Sequence, residues 1–270
     1  MSLLSTVDQL AVLLATRAQR FEFQRTVVST FAGTQHFSSW LGTGIPGPGV
    51  APGAAAVPTS ATAGALVKFT DPGGGEAAHL YSIYGSQSVA PAQVSIWDRL
   101  VHSGGLDSTV ITLNTINTPA ITRGDTTGVG VIGFLECYVQ LGGTGATATI
   151  IYTNSAGVGS RTTTVAIPTT MRLGRLLPIL PLQTGDIGIK SIESVQLSAS
   201  TTVAGNYGVV LARRICVIPI RNVNQAISRV GLELGLPKIE AGACLWATVF
   251  TTTGVSSFPL YGGCTLFTTG

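Results

Sequence analysis

The run Gly42-Thr43-Gly44-Ile45-Pro46-Gly47 has the G-x-G-x-x-G spacing that cradles a dinucleotide pyrophosphate. That chemistry needs a strand before the glycines and a helix after them, so that phosphate meets the helix N-terminus. Pro46, Pro48 and Pro52 forbid the helix, and nucleotide binding is set aside. The histidines are His36, His79 and His102, and none falls in an H-E-x-x-H or H-x-H pattern. Asp98 and His102 lie four apart. On a strand they share a face but stand about 13 Å apart, too far for adjacent members of a Ser-His-Asp triad. A triad built from distant residues stays open. The twelve acidic residues are spread singly, without a D-x-D-x-D calcium loop or a close carboxylate pair. Asp186, in Gln-Thr-Gly-Asp-Ile-Gly, reads as a turn residue bonding its own backbone. Trp40, Trp97 and Trp246, with Tyr81, Tyr84, Tyr207 and Tyr261, could stack on sugar rings, although packing is the simpler use, above all for Trp97 within Val-Ser-Ile-Trp-Asp-Arg-Leu-Val. No catalytic, cofactor-binding or metal-binding residue is assigned, and the expectation is a protein that is not an enzyme and needs no cofactor.

Composition narrows the reading further. The chain has 270 residues, 45% hydrophobic and only 10% charged, with 34 glycines. The usual charged share is about 25%. Thr, Ser and Gly must therefore cover much of the surface, and little charge opposes association with copies of itself. The net charge of +3 is too small and scattered for a nucleic-acid footprint. Arg213 and Arg214 are adjacent, so on a strand they point to opposite faces. Cys137, Cys216, Cys244 and Cys264 form no C-x-x-C pair. They read as buried free thiols, with a Cys244–Cys264 disulfide as the alternative. No run of eighteen apolar residues suggests a membrane span, and the N-terminus lacks the basic start of a signal peptide.

The elements that must position these residues are mostly strands. Residues 3–20 predict an amphipathic helix, with Leu3, Val7, Leu10 and Leu14 on one side and Ser2 or Ser5 as its cap. It is too short to stand alone, so it needs its own domain or a neighbour to dock on. Thr26, Val27 and Val28 favour a strand in 21–31. Residues 41–65, rich in Gly, Pro and Ala, predict an extended arm over another surface or a flexible linker. A short strand is expected at 66–70, then a turn at Asp71-Pro72-Gly73. Further strands are expected near 94–101, 109–113, 129–140, 146–153, 161–167, 173–180, 189–198 and 207–220. Those at 146–153 and 161–167 make a hairpin. In Gly133–Leu141, Leu135, Cys137, Val139 and Leu141 form one apolar face. Residues 224–234 predict a short helix stopped by Gly235 and Pro237, and two strands end the chain. The expected fold is mainly β, a β-sandwich or jelly-roll-like domain at 66–220. An N-terminal helix and Gly/Pro-rich arm precede it at 1–65. A helix-plus-strands extension at 221–270 packs on the core or on a partner.

Four segments carry a resemblance: Trp97–Val110 (WDRLVHSGGLDSTV), Ala148–Pro168 (ATIIYTNSAGVGSRTTTVAIP), Gly174–Ser200 (GRLLPILPLQTGDIGIKSIESVQLSAS) and Asn206–Ile215 (NYGVVLARRI). Over residues 94–219 the chain resembles virion structural proteins of tailed bacteriophages. The resemblance implies a β-rich, multi-copy virion component, assembled in the host cytoplasm. The expected role within that group is a capsid-associated one, of the cement or decoration kind, bridging neighbouring capsomers. Its partners would be the major capsid protein and other copies of itself, a trimer among the states open to it, with no nucleic acid and no membrane. The alternative is a neck, tail or fibre component that binds host surface glycans.

Overall fold

Alternating apolar residues, Gly-rich turns and few charges fold as expected of a mainly β chain. The computed structural model describes residues 6–73, 76–88 and 91–269. In chain order, α1 (Val7–Thr16) leads into β1 (Ala18–Phe31), β2 (Gln35–Ser38) and β3 (Thr43–Ile45). After the arm come β4 (Ala77–Gln87), β5 (Ala92–His102), β6 (Leu106–Asp107) and β7 (Asn114–Thr115). The middle supplies β8 (Val131–Val139), β9 (Ala146–Asn154), β10 (Arg161–Ile167), β11 (Arg175–Pro178), β12 (Ile189–Leu197) and β13 (Asn206–Ile220). The last stretch adds β14 (Ile227–Val230), β15 (Lys238–Ile239), β16 (Leu245–Thr251) and β17 (Val255–Thr269).

Three antiparallel sheets result. Sheet A runs β14-β4-β17-β1-β3, with β15 also on β4, and sheet C runs β10-β9-β12-β7. Sheet B runs β5-β16-β2-β11-β8-β13-β6, and β5 also pairs with β13. That second pairing closes six strands into a barrel, which removes their free edges. One outer side of the barrel packs on sheet A through residues such as Val94, Ile96, Val249 and Leu266. Another packs on sheet C through Leu100, Leu135, Val209 and Ile150. The interior holds Trp97, Phe134, Tyr138 and Trp246. Six strands enclose less room than eight, and side chains fill the space.

Several expectations change. The helix is shorter than 3–20, because Ala18–Arg20 pair with β17 as strand. Its cap is Thr6, which accepts from the Gln9 backbone N–H, whereas Ser2 and Ser5 lie outside the described residues. Residues 66–70 are extended and bury Leu66, Val67 and Phe69 but form no strand, and residues 109–113 form none either. The helix expected at 224–234 is instead β14, paired with β4, followed by a 3₁₀ turn at Gly231–Glu233. Both faces of β8 are covered: Leu135 and Cys137 face sheet C, while Phe134, Glu136 and Tyr138 are buried in the barrel interior. Each of the large sheets also mixes distant parts of the chain. Sheet A holds β1, β4 and β17, and the barrel holds β2, β5 and β16.

Candidate functional site

A strongly charged constellation fills the barrel interior. A bulge puts it together. Leu211 pairs with Val101 and Ala212 with Arg99, so Leu100 is the extra residue on β5. The bulge resets the alternation. Arg99 and His102, three apart, therefore share the inner face, and Asp98 is left on the other. Asp98 and His102 thus do not share a face, contrary to a regular strand.

Arg99 and Glu136 are fully buried and 2.6 Å apart. Arg99 Nη2 donates to Tyr138 Oη, which donates to Glu136 Oε2, at 2.8 and 2.9 Å. Arg99 Nε donates to His102 Nδ1 at 3.1 Å. The guanidinium is held between two indoles, 4.1 Å from the Trp40 ring centre and 4.9 Å from that of Trp246. Burial alone would pull Arg99 down, but Glu136 overrides it and the guanidinium lies above its ordinary pKa. Burial and the facing Arg99 cation push His102 down to about 3. Burial, and then the Glu136 charge, push Tyr138 well up. A neutral imidazole, a buried cation and a protonated phenol resemble tuned catalytic groups. Here the whole set is buried inside the barrel.

The arm makes the seal. Trp40 Nε1 donates to Val50 O at 2.9 Å, and Ala56 forms a bridge with His102. Gly104 N donates to Gly53 O. Arg25, buried in sheet A, donates to the carbonyls of Gly42, Gly47 and Ala65. Arg123 donates to Pro58 O and grips both Asp98 oxygens. Gly49 and Gly64 lie flat on Trp40, where a Cβ would come within 2.6 and 2.8 Å of the ring. The Gly/Pro-rich arm is thus docked along its own chain and is not a flexible linker.

The remaining candidates separate in space. Asp186 does not bond its own backbone through its side chain. It accepts from Tyr152 Oη, Asn154 Nδ2 and Arg161, and the Tyr152 bond leads in holding its carboxyl below the usual range. All four cysteines are free, so Cys244 and Cys264 are not bonded. The three tryptophans and Tyr207 are buried and cannot meet a sugar. Arg213 donates to Asp125 O, and Arg214 leans toward Trp97 on the other face. Gly42–Gly47 spans β3, and no helix follows it. Among the described residues no three His, Cys, Asp or Glu side chains gather as metal ligands. Among the described residues no helix is long and apolar enough to cross a membrane.

What stays open is on the outside. None of the residues of α1 is buried, although seven of its ten (VDQLAVLLAT) are Val, Leu or Ala. Val7 is 81% and Val12 60% exposed. Sequence periodicity found this helix; it had no signal for the barrel interior, where Arg99, Glu136 and His102 come from strands β5 and β8 far apart in the chain.

No protein-family model matches the chain, and no curated protein matches it. Among solved structures, the Gx strain of infectious bursal disease virus is similar at 12% identity over 94% of this chain and 80% of that chain, with a TM-score of 0.21. The VP2 subviral particle of the same virus gives 10% identity over 93% and 81%, with a TM-score of 0.23. Scores this low do not indicate a shared fold, and the functional reading rests on the chain's own residues.

Proposed function

We propose that this chain is a structural subunit of a bacteriophage virion, of the capsid cement or decoration kind, that works by association and not by catalysis. The observation that carries the reading is α1: an apolar ten-residue helix with no buried residue, attached to a rigid β body. A helix this short is marginal in water and gains stability only by docking. Each Leu or Val it covers contributes about 1.5–3 kcal/mol. The charge-poor surface leaves little repulsion between copies, and symmetric assembly repeats one contact around a particle. The sequence resemblance to tailed-phage virion proteins supplies the setting.

The clasp is α1 alone. The arm is used in cis, and removing residues 1–65 would also remove β1, β2 and β3. Removing residues 1–16 would spare every strand. The test is copy number, by quantitative mass spectrometry of purified particles from the source. Hundreds of copies in fixed ratio to the shell protein support a head cement role. A count of a few or a few dozen copies moves the chain to neck, tail or fibre, and absence from particles refutes the virion role.

A further inference from the structure

The outward face of sheet A carries two neighbouring cross-strand rows. One is Ile45–Gln24–Tyr261–Ser86 and the other Glu22–Gly263–Tyr84–Ser228. Gly263 sits between Glu22 and Tyr84. A Cβ there would lie 2.7 Å from Tyr84 Cε1 and 2.9 Å from its hydroxyl, so the Tyr84 ring lies over the glycine. Tyr261 stands on the adjacent strand at the diagonal position, where side chains are roughly 7–8 Å apart. Glu22, Gln24, Ile45, Tyr84 and Tyr261 border a hollow of about 240 Å³.

Three observations point to a ligand. Every tryptophan of the chain is buried, yet Tyr84 and Tyr261 are 39% and 47% exposed, side by side on paired strands. The side chains of Glu22, Gln24, Tyr84 and Tyr261 make no hydrogen bond or ion pair with a described residue, which leaves a carboxylate, a carboxamide and two phenols facing one hollow. The groups stand on strands locked by pairing on both sides, so little order is lost on binding.

We infer that this face binds a neutral saccharide, one ring or chain end at a time. Aromatic faces stack on the apolar face of a sugar ring, while Glu22 and Gln24 take its hydroxyls. The hollow is smaller than the roughly 300–1,000 Å³ of drug-sized ligand sites, which suits a single ring. Glu22 is the charged residue lining it, and its carboxylate disfavours acidic sugars. The site reading stands on this geometry alone, whatever particle the chain belongs to. In an assembly, repetition of a weak site raises avidity by ~10²–10⁴.

The test titrates the whole chain, with ring-labelled tyrosine, against D-glucose, D-galactose, N-acetyl-D-glucosamine and N-acetylneuraminic acid. Concentrations up to ~100 mM saturate a millimolar site. At least one neutral sugar is expected to shift the Tyr84 and Tyr261 signals saturably, and the acidic sugar to shift neither. Tyr84→Ala and Tyr261→Ala should each weaken binding by about tenfold. Tyr84→Phe, which keeps the ring and the fold, should weaken it less than the alanine change. Gly263→Val, which places a side chain under the ring, should abolish it. Silence toward every neutral sugar overturns the inference, as does binding indifferent to the alanine variants. Shifts of the same tyrosines with protein concentration alone, without sugar, would make this face a contact between copies and also overturn it.

Discussion

Replacing His102 with Gln tests whether the barrel interior is as sealed as the geometry requires. The His102 pKa falls from an ordinary 6.5 to about 3, by burial first and the Arg99 charge second. In the unfolded chain the imidazole returns to its ordinary value. Between pH 6.5 and 3 the unfolded chain therefore binds a proton that the native chain does not. Stability contributed by the neutral ring is complete above that window and is lost as pH falls through it. Each unit is worth about 1.36 kcal/mol, so the full window amounts to about 5 kcal/mol. At pH 5, where few carboxylates have yet titrated, the loss from this group is already about 2 kcal/mol. Gln keeps an acceptor for Arg99 Nε and cannot titrate. His36 is also held low by burial, so the wild-type slope contains both groups and the difference between the two proteins isolates His102. The assay is urea unfolding at steps from pH 7.5 to 5. Wild type should lose about 2 kcal/mol more than His102→Gln over that range. Parallel pH profiles would refute the reasoning, whatever constant offset the substitution brings.

Other expectations follow from the same interior. Glu136→Gln should destabilise by about 3–5 kcal/mol in chemical denaturation, because it strands a buried guanidinium; Arg99→Met with Glu136→Leu should recover most of that loss, since both charges go together. Arg25→Met removes the donor to the Gly42, Gly47 and Ala65 carbonyls, and limited proteolysis should then cut within residues 42–65 far faster than in wild type. Burial pushes all four thiols up to about 12, so none should react with a disulfide reagent at pH 8 until the chain is unfolded, when all four should.

Local alternation made most strands legible. Arg161–Ile167 was read to the residue because Thr163, Val165 and Ile167 alternate with exposed Thr162, Thr164 and Ala166. Within residues 224–234 the chain takes strand, β14, instead of the expected helix because the segment is short and its partner β4 lies over a hundred residues away. Barrel closure depends on β5 pairing with both β13 and β16, and no local pattern encodes a second pairing. The arm's docking depends on single residues such as Trp40, Arg25 and Arg123 meeting backbone carbonyls, which leave no periodic trace in sequence. The tyrosine hollow was half legible: Tyr84 and Tyr261 stood among the aromatic candidates, but only the register with Gly263 separates them from the buried ones.

The central claim is that α1 joins copies of a β body that is complete without it. Analytical ultracentrifugation of the full chain beside Val7→Asp/Val12→Asp tests it most directly. Wild type should form a concentration-dependent oligomer, and the variant should sediment as a folded monomer with unchanged near-ultraviolet dichroism. A wild-type chain that stays monomeric at every concentration, or a variant that assembles equally well, would contradict it.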